Sequence, residues 1–202
     1  WKLRTGRLSD RGDDNDFNGE AETAQHVNRS AAAQPVFVVI DSWTATSGGA
    51  GNFDLALAFD TPPVGDSCAT AGPLTAGTPL TGQTTVGFTN DYSGAGTLCS
   101  SASDGPDRAF SISVPAGQRL TLTVTPATGF NSSISLLAGT AAVCDGLPRV
   151  CVANANNGGT GVADVAVYTN QTTAAQTVFA IVDSFSSTGG VFSILGSLET
   201  PP

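Results

Sequence analysis

The sequence predicts an all-β fold: an antiparallel β-sandwich, jelly-roll-like, built as a tandem repeat. Three observations predict it. Short apolar–polar alternations recur along the chain, clusters of Gly, Pro, Asn and Ser separate them, and a stretch near residue 28 recurs near residue 170. Residues 28–43 (NRSAAAQPVFVVIDSW) align without gaps with 170–185 (NQTTAAQTVFAIVDSF), 142 positions on, with eight of sixteen identical. Both copies continue into a glycine pair, Gly48-Gly49 and Gly189-Gly190. Both then alternate, at 53–59 (FDLALAF) and 192–198 (FSILGSL), and both close on Thr-Pro-Pro, at Pro63 and Pro202, 139 positions apart. Residues 64–202 therefore read as one complete unit. Residues 1–63 read as the C-terminal part of an equivalent unit, joined through a Thr-Pro-Pro linker that proline stiffens.

Within the complete unit, alternation predicts strands at 109–114 (AFSISV), 119–125 (RLTLTVT), 133–137 (SISLL) and 163–168 (ADVAVY), each with one buried and one wet face. Residues 178–182 (VFAIV) are apolar throughout, which predicts a central strand. Turn clusters at 103–107, 114–117, 156–159 and 186–190 separate these runs. About eight short strands without a helical period give the sandwich.

Composition narrows the function. The chain has 202 residues, a net charge of −9 and only 12% charged residues, against about 25% in an ordinary domain. This excludes a basic nucleic-acid binder and a polybasic membrane-surface protein. With no run of 18 apolar residues, no helical membrane span is expected. The start at Trp1, with no signal sequence, reads as a processed chain or a fragment.

The four cysteines are Cys68, Cys99, Cys144 and Cys151. None forms a CxxC pair, and the single histidine, His26, cannot complete a Cys/His zinc set. In a Lys-poor, Ser/Thr/Gly-rich acidic chain they read as two disulfides formed in an oxidising compartment, extracellular or at a cell surface, the plain alternative being four buried thiols. Three pairings are open. Sequence order favours Cys68–Cys99 with Cys144–Cys151, the second closing the loop CDGLPRVC.

A series of motifs then carries a family resemblance: 65–68 (GDSC), 71–74 (AGPL), 82–84 (GQT), 90–92 (NDY), the long stretch 105–117 (GPDRAFSISVPAG), 120–124 (LTLTV), Phe130-Asn131, and 168–170 (YTN) leading to 182–185 (VDSF). The chain resembles the bacterial pre-peptidase C-terminal (PPC) domain family, in a repeat-containing secreted version. The likeness covers 64–202 and, through the repeat, much of 7–63. It implies a secreted β-sandwich that is an accessory rather than a catalyst, appended to peptidases and surface proteins, with some relatives binding collagen or carbohydrate and calcium at a strand-connecting loop. This chain departs from the pattern at Phe130-Asn131, where relatives carry Phe-Asp, and its loop 154–159 (NANNGG) is poor in carboxylates.

The strongest chemical signal is 10–20 (DRGDDNDFNGE). Asp14, Asp16 and Asn18 alternate ahead of Gly19, the opening of a calcium loop in which alternate oxygens converge on one ion. Glu20 offers a main-chain carbonyl and Glu22 a water-mediated contact. Gln25 stands where an EF-hand has its closing glutamate, so a β-loop calcium site is expected, against the plainer reading of a solvated acidic loop. By the repeat, Asp14, Asp16 and Asn18 correspond to Asn156, Gly158 and Thr160, which confines the site to the half-unit. Arg11-Gly12-Asp13 resembles an integrin-recognition tripeptide, a pattern common by chance. Residues Asn28, Asn131 and Asn170 open glycosylation-type triplets. His26, aligned with Tyr168, reads as a wet strand residue and not as a general base. Asp41 and Asp183 recur after the apolar strand, which suggests turn capping; Asp107 reads the same way. Trp43 and Phe185 are equivalent, as are His26 and Tyr168; exposed aromatics of this kind can form a glycan platform, but core or strand-edge packing is expected for most of them.

No nucleophile elbow or phosphate loop is present in the sequence. The expected function is a non-catalytic extracellular structural or adhesive module. The alternative is an accessory substrate- or glycan-binding domain of a secreted peptidase. A half-unit with a bare strand at 36–40 calls for a partner: a homo-oligomer, or a neighbouring repeat or chain that adds strands. Head-to-tail addition would give an open filament.

Overall fold

The computed structural model of the chain describes residues 2–4, 12–13, 26, 28, 33–41, 52–92, 99, 105–186 and 188–202. Two units divide it, Trp1–Pro62 and Pro63–Pro202, with the boundary inside the Thr-Pro-Pro stretch. In the first unit, β1 (Lys2–Arg4), β2 (Gly12–Asp13) and β3 (Val39–Asp41) form one antiparallel sheet in the order β2-β1-β3.

The second unit is the β-sandwich that the alternation predicts. Its strands are β4 (Gly72–Pro73), β5 (Leu80–Thr84), β6 (Asp107–Val114), β7 (Arg119–Pro126), β8 (Ser132–Ala138), β9 (Cys151–Ala155), β10 (Asp164–Thr169), β11 (Gln176–Ser184) and β12 (Val191–Glu199). A four-stranded sheet runs β10-β7-β12-β5, and a five-stranded sheet runs β4-β6-β11-β8-β9. All ladders are antiparallel except the short β4–β6 pair.

The core lies between the sheets. Phe110, Ile112 and Val114 of β6, Ile134 and Leu136 of β8, and Val178, Ala180 and Val182 of β11 face Leu120, Leu122 and Val124 of β7, Ala166 of β10, and Phe192 and Ile194 of β12. Burying each Val, Leu, Ile or Phe contributes about 1.5–3 kcal/mol. Phe110 meets Phe192 edge-on, with ring centroids 6.0 Å apart.

The two sheets differ on their outer faces. Strands β7 and β12 alternate between buried and partly or fully exposed residues over most of their length, so their outer face is wet. Strand β8 is buried at every position and β11 from Val178 onward. A second apolar cluster covers the five-stranded sheet: Ala109, Leu137, Phe179 and Ile181 pack with Cys68, Tyr92 and Cys144. Cys68 lies in a 3-10 turn (Cys68–Thr70) and Cys144 in the short helix α1 (Ala141–Asp145), whose N-cap Thr140 accepts a hydrogen bond from the Val143 N–H. This extra layer explains the continuous apolar run at 178–182, and it removes the wet face expected for 133–137.

Between β6 and β7, the Gln118 N–H donates to the Pro115 carbonyl at 3.1 Å. Gly117 there holds φ at +72°, a conformation that favours glycine.

Two expectations are corrected. Residues 53–59 form no strand despite their alternation, and of 36–40 only Val39 and Ile40 are in one. The pairing favoured by sequence order is replaced by Cys68–Cys144 and Cys99–Cys151. The physical reason is the course of the chain. Helix α1 turns Cys144 inward to meet Cys68 over the sheet, whereas Cys151 is exposed at the start of the edge strand β9.

Candidate functional site

The polar groups of the second unit are mostly engaged in holding loops. Asp145, at the end of α1, accepts from the Cys68 N–H at 2.8 Å and the Tyr92 hydroxyl at 2.5 Å through Oδ1, and from the Ala69 N–H at 3.1 Å through Oδ2. The Cys68 N–H also donates to the Tyr92 oxygen at 2.7 Å. The Arg149 guanidinium lies 4.9 Å from the Tyr92 ring centroid, and its Nε donates to the Cys144 carbonyl. Both Asp145 oxygens are thus occupied in fastening the Cys68 turn. Cys68, Cys144 and Asp145 are the one grouping of metal-ligand types among the described residues, but the sulfurs are bonded to each other, so they offer no thiolate to an ion.

Other carboxylates do similar work. Asp107, at the start of β6, accepts from the Asp91 and Tyr92 N–H groups at 2.8 and 2.9 Å, the loop-capping role expected of it. Thr89 donates through its hydroxyl to both Asp66 and Asp91. Asp183 is buried inside β11, directly across the ladder from Asp107. Asp164, which the sequence reading passed over, is also buried. Its Oδ1 accepts from the Asn157 and Gly158 N–H groups, both at 2.9 Å, and its Oδ2 from the Ser132 hydroxyl at 3.0 Å. Loop 156–163 is therefore closed around an internal carboxylate. The repeat offset places Glu22 at the counterpart of Asp164, which is the signal that would have marked that position.

The calcium-loop residues Asp14, Asp16, Asn18, Glu20 and Glu22 lie outside the described residues, as do Arg11 and Trp43. Gly12 and Asp13 form β2, which leads into that loop as β9 leads into 156–163. His26 and Asn28 are exposed. Asn170, the counterpart of Asn28, is fully buried. Its side-chain NH2 donates to the Val114 and Ala174 carbonyls at 2.9 and 2.8 Å, and its Oδ1 accepts from Thr172. Phe185, just past the end of β11, is nearly half exposed. Burial lowers the pKa of Arg108, whose guanidinium lies over Phe88 and Phe110, and raises that of Tyr168, bonded to Gln176.

The feature that stands out is apolar surface in the first unit. Val36, Phe37 and Val39 are 41%, 72% and 55% exposed, whereas their repeat counterparts Val178, Phe179 and Ile181 are at most 5% exposed. Phe53 and Leu55 are about half exposed and Phe59 almost fully, while Phe192 and Ile194 are buried. Nearly the same residues are thus a core in one unit and bare in the other. Among the described residues, no helix is long and apolar enough to cross a membrane. Set against known proteins, the chain matches no family model and no curated sequence.

Proposed function

We propose that the protein is a non-catalytic, extracellular structural or adhesive β-sandwich module of the pre-peptidase C-terminal type, and that strand addition to its first unit links it into larger assemblies. The observation that carries this reading is the exposure of Val36, Phe37 and Val39 beside the burial of Val178, Phe179 and Ile181. A strand with that sequence gains stability only when both its faces and edges are covered. Two disulfides suit a chain that folds where thiols oxidise.

In the same proposal the loop carrying Asp14, Asp16 and Asn18 holds calcium, with the Glu20 carbonyl and Glu22 completing the set. The inward carboxylate of Asp164 in the corresponding loop supports an inward role for Glu22. The test is electron microscopy of the native material, together with binding of the purified protein to immobilised collagen and glycans, with and without calcium. Ordered assemblies that contain the chain are expected. Saturable, calcium-dependent capture of a dispersed monomer, with no assemblies, would overturn the structural reading in favour of an accessory binding domain.

A further inference from the structure

The registers of the two units show which cover is missing. In the second unit Ile134 of β8 pairs with Val182 of β11 on one side and with Ala155 of β9 on the other; Ser135 pairs with Ile181 and Asn154. In the first unit Leu3 of β1 pairs with Ile40 and Asp13, and Arg4 with Val39 and Gly12. Each of the four outer partners differs by 142 positions, the offset of the sequence repeat. So β1 stands to β3 and β2 as β8 stands to β11 and β9.

One edge of β3 is therefore taken in the manner of β8, and among the described residues no strand takes the other edge, the one that β6 takes on β11. Residues 53–59 correspond to β12, which lies between β7 and β5. In the intact unit β6 pairs with β11 and β7 pairs with β12, and only residues 115–118 separate β6 from β7. One short continuous segment thus covers both strands.

We infer that the open edge of β3 and residues 53–59 together receive a single strand–turn–strand segment patterned like residues 107–126, carried by a polypeptide outside these 202 residues. The registers follow from the intact unit. The partner position equivalent to Ile112 lies opposite Val36, and that of Phe110 opposite Val38. The equivalents of Val124 and Leu122 lie opposite Leu55 and Leu57. A second copy of this chain is a poor donor, because its own residues 107–126 already pair with β11 and β12, and lending them would bare those strands instead. Within these 202 residues the β11–β12 pattern occurs twice and the β6–β7 pattern once, so lending residues 107–126 to another copy moves the uncovered pair without removing it.

The inference rests on the proposed completion by strand addition. Its test is amide hydrogen exchange on the full chain with a synthetic peptide of sequence 107–126 and a peptide of the same residues in shuffled order. The ordered peptide is expected to slow exchange at 36–41 and 53–59 by about tenfold or more, the effect of roughly 1.4 kcal/mol. The shuffled peptide, and one carrying Phe110→Asp with Val124→Asp, leave both segments fast. No slowing at millimolar peptide, or slowing of one segment alone, overturns the inference. Slowing that appears without peptide and grows with protein concentration shows that copies cover one another; the donor is then wrong and strand addition stands. Slow exchange of both segments in a dilute, peptide-free monomer overturns the donor and the strand-addition reading together.

Discussion

Tyr92 shows how single residues set the outer layer of the second unit. Its hydroxyl lies between the Cys68 N–H and the Asp145 carboxylate, and its ring lies beneath Arg149. Replacing it with phenylalanine keeps the ring and leaves the carboxylate short of a donor. Hydrogen bonds to charged groups are worth about 1.5–3 kcal/mol, so Tyr92→Phe is expected to lower stability by about that amount in denaturant titrations, with an unchanged far-ultraviolet spectrum. Tyr92 and Asp145 stand within motifs that the sequence displays, NDY and CDGLPRVC, yet their meeting was not legible there. They are 53 positions apart, and only the fold of the layer brings them together. The cysteine pairing was hidden for the same reason, since it depends on which way α1 turns a thiol. Asp107 was legible, because capping is a local act at the head of a strand.

Among elements, strands with strong alternation could be read directly: β6, β7, β8, β10, β11 and β12 lie where the periodicity places them. Strand β5, with one apolar residue and a glycine in five positions, leaves no such trace. Residues 53–59 make the opposite point. Their alternation is as clear as that of β12, but a strand is held by its neighbours, and β12 has β7 and β5 on its two sides. Pattern states what a segment can bury; the ladder decides whether it does. This difference can be measured on equivalent positions. Ile181 is fully buried in β11, so Ile181→Ala is expected to cost about 2–5 kcal/mol. Its counterpart Val39 is 55% exposed, and Val39→Ala is expected to shift the unfolding of the isolated chain by about 0.5 kcal/mol or less. Equal losses at both positions, read by chemical denaturation, would mean that β3 is covered in solution.

At the scale of the whole molecule, the repeat organises what the sequence makes legible, and the disulfides organise what it does not. The bridge Cys68–Cys144 spans 76 positions, and Cys99–Cys151 spans 52. Both enclose β6 to β8, while β10, β11 and β12 lie beyond Cys151. If the protein bears load between its ends, tension reaches Cys68 and passes straight to Cys144, sparing the chain between them. A single molecule stretched by its termini should yield the segments outside the bridges, the first unit and the strands from β9 onward, and then stop. Adding reductant should release about 250 Å of further extension, the contour length of the shielded segment at roughly 3.3–3.6 Å per residue. The bridged part would then limit how far the molecule can give, and the segments outside the bridges would be the part that yields and can recoil when the pull is relaxed.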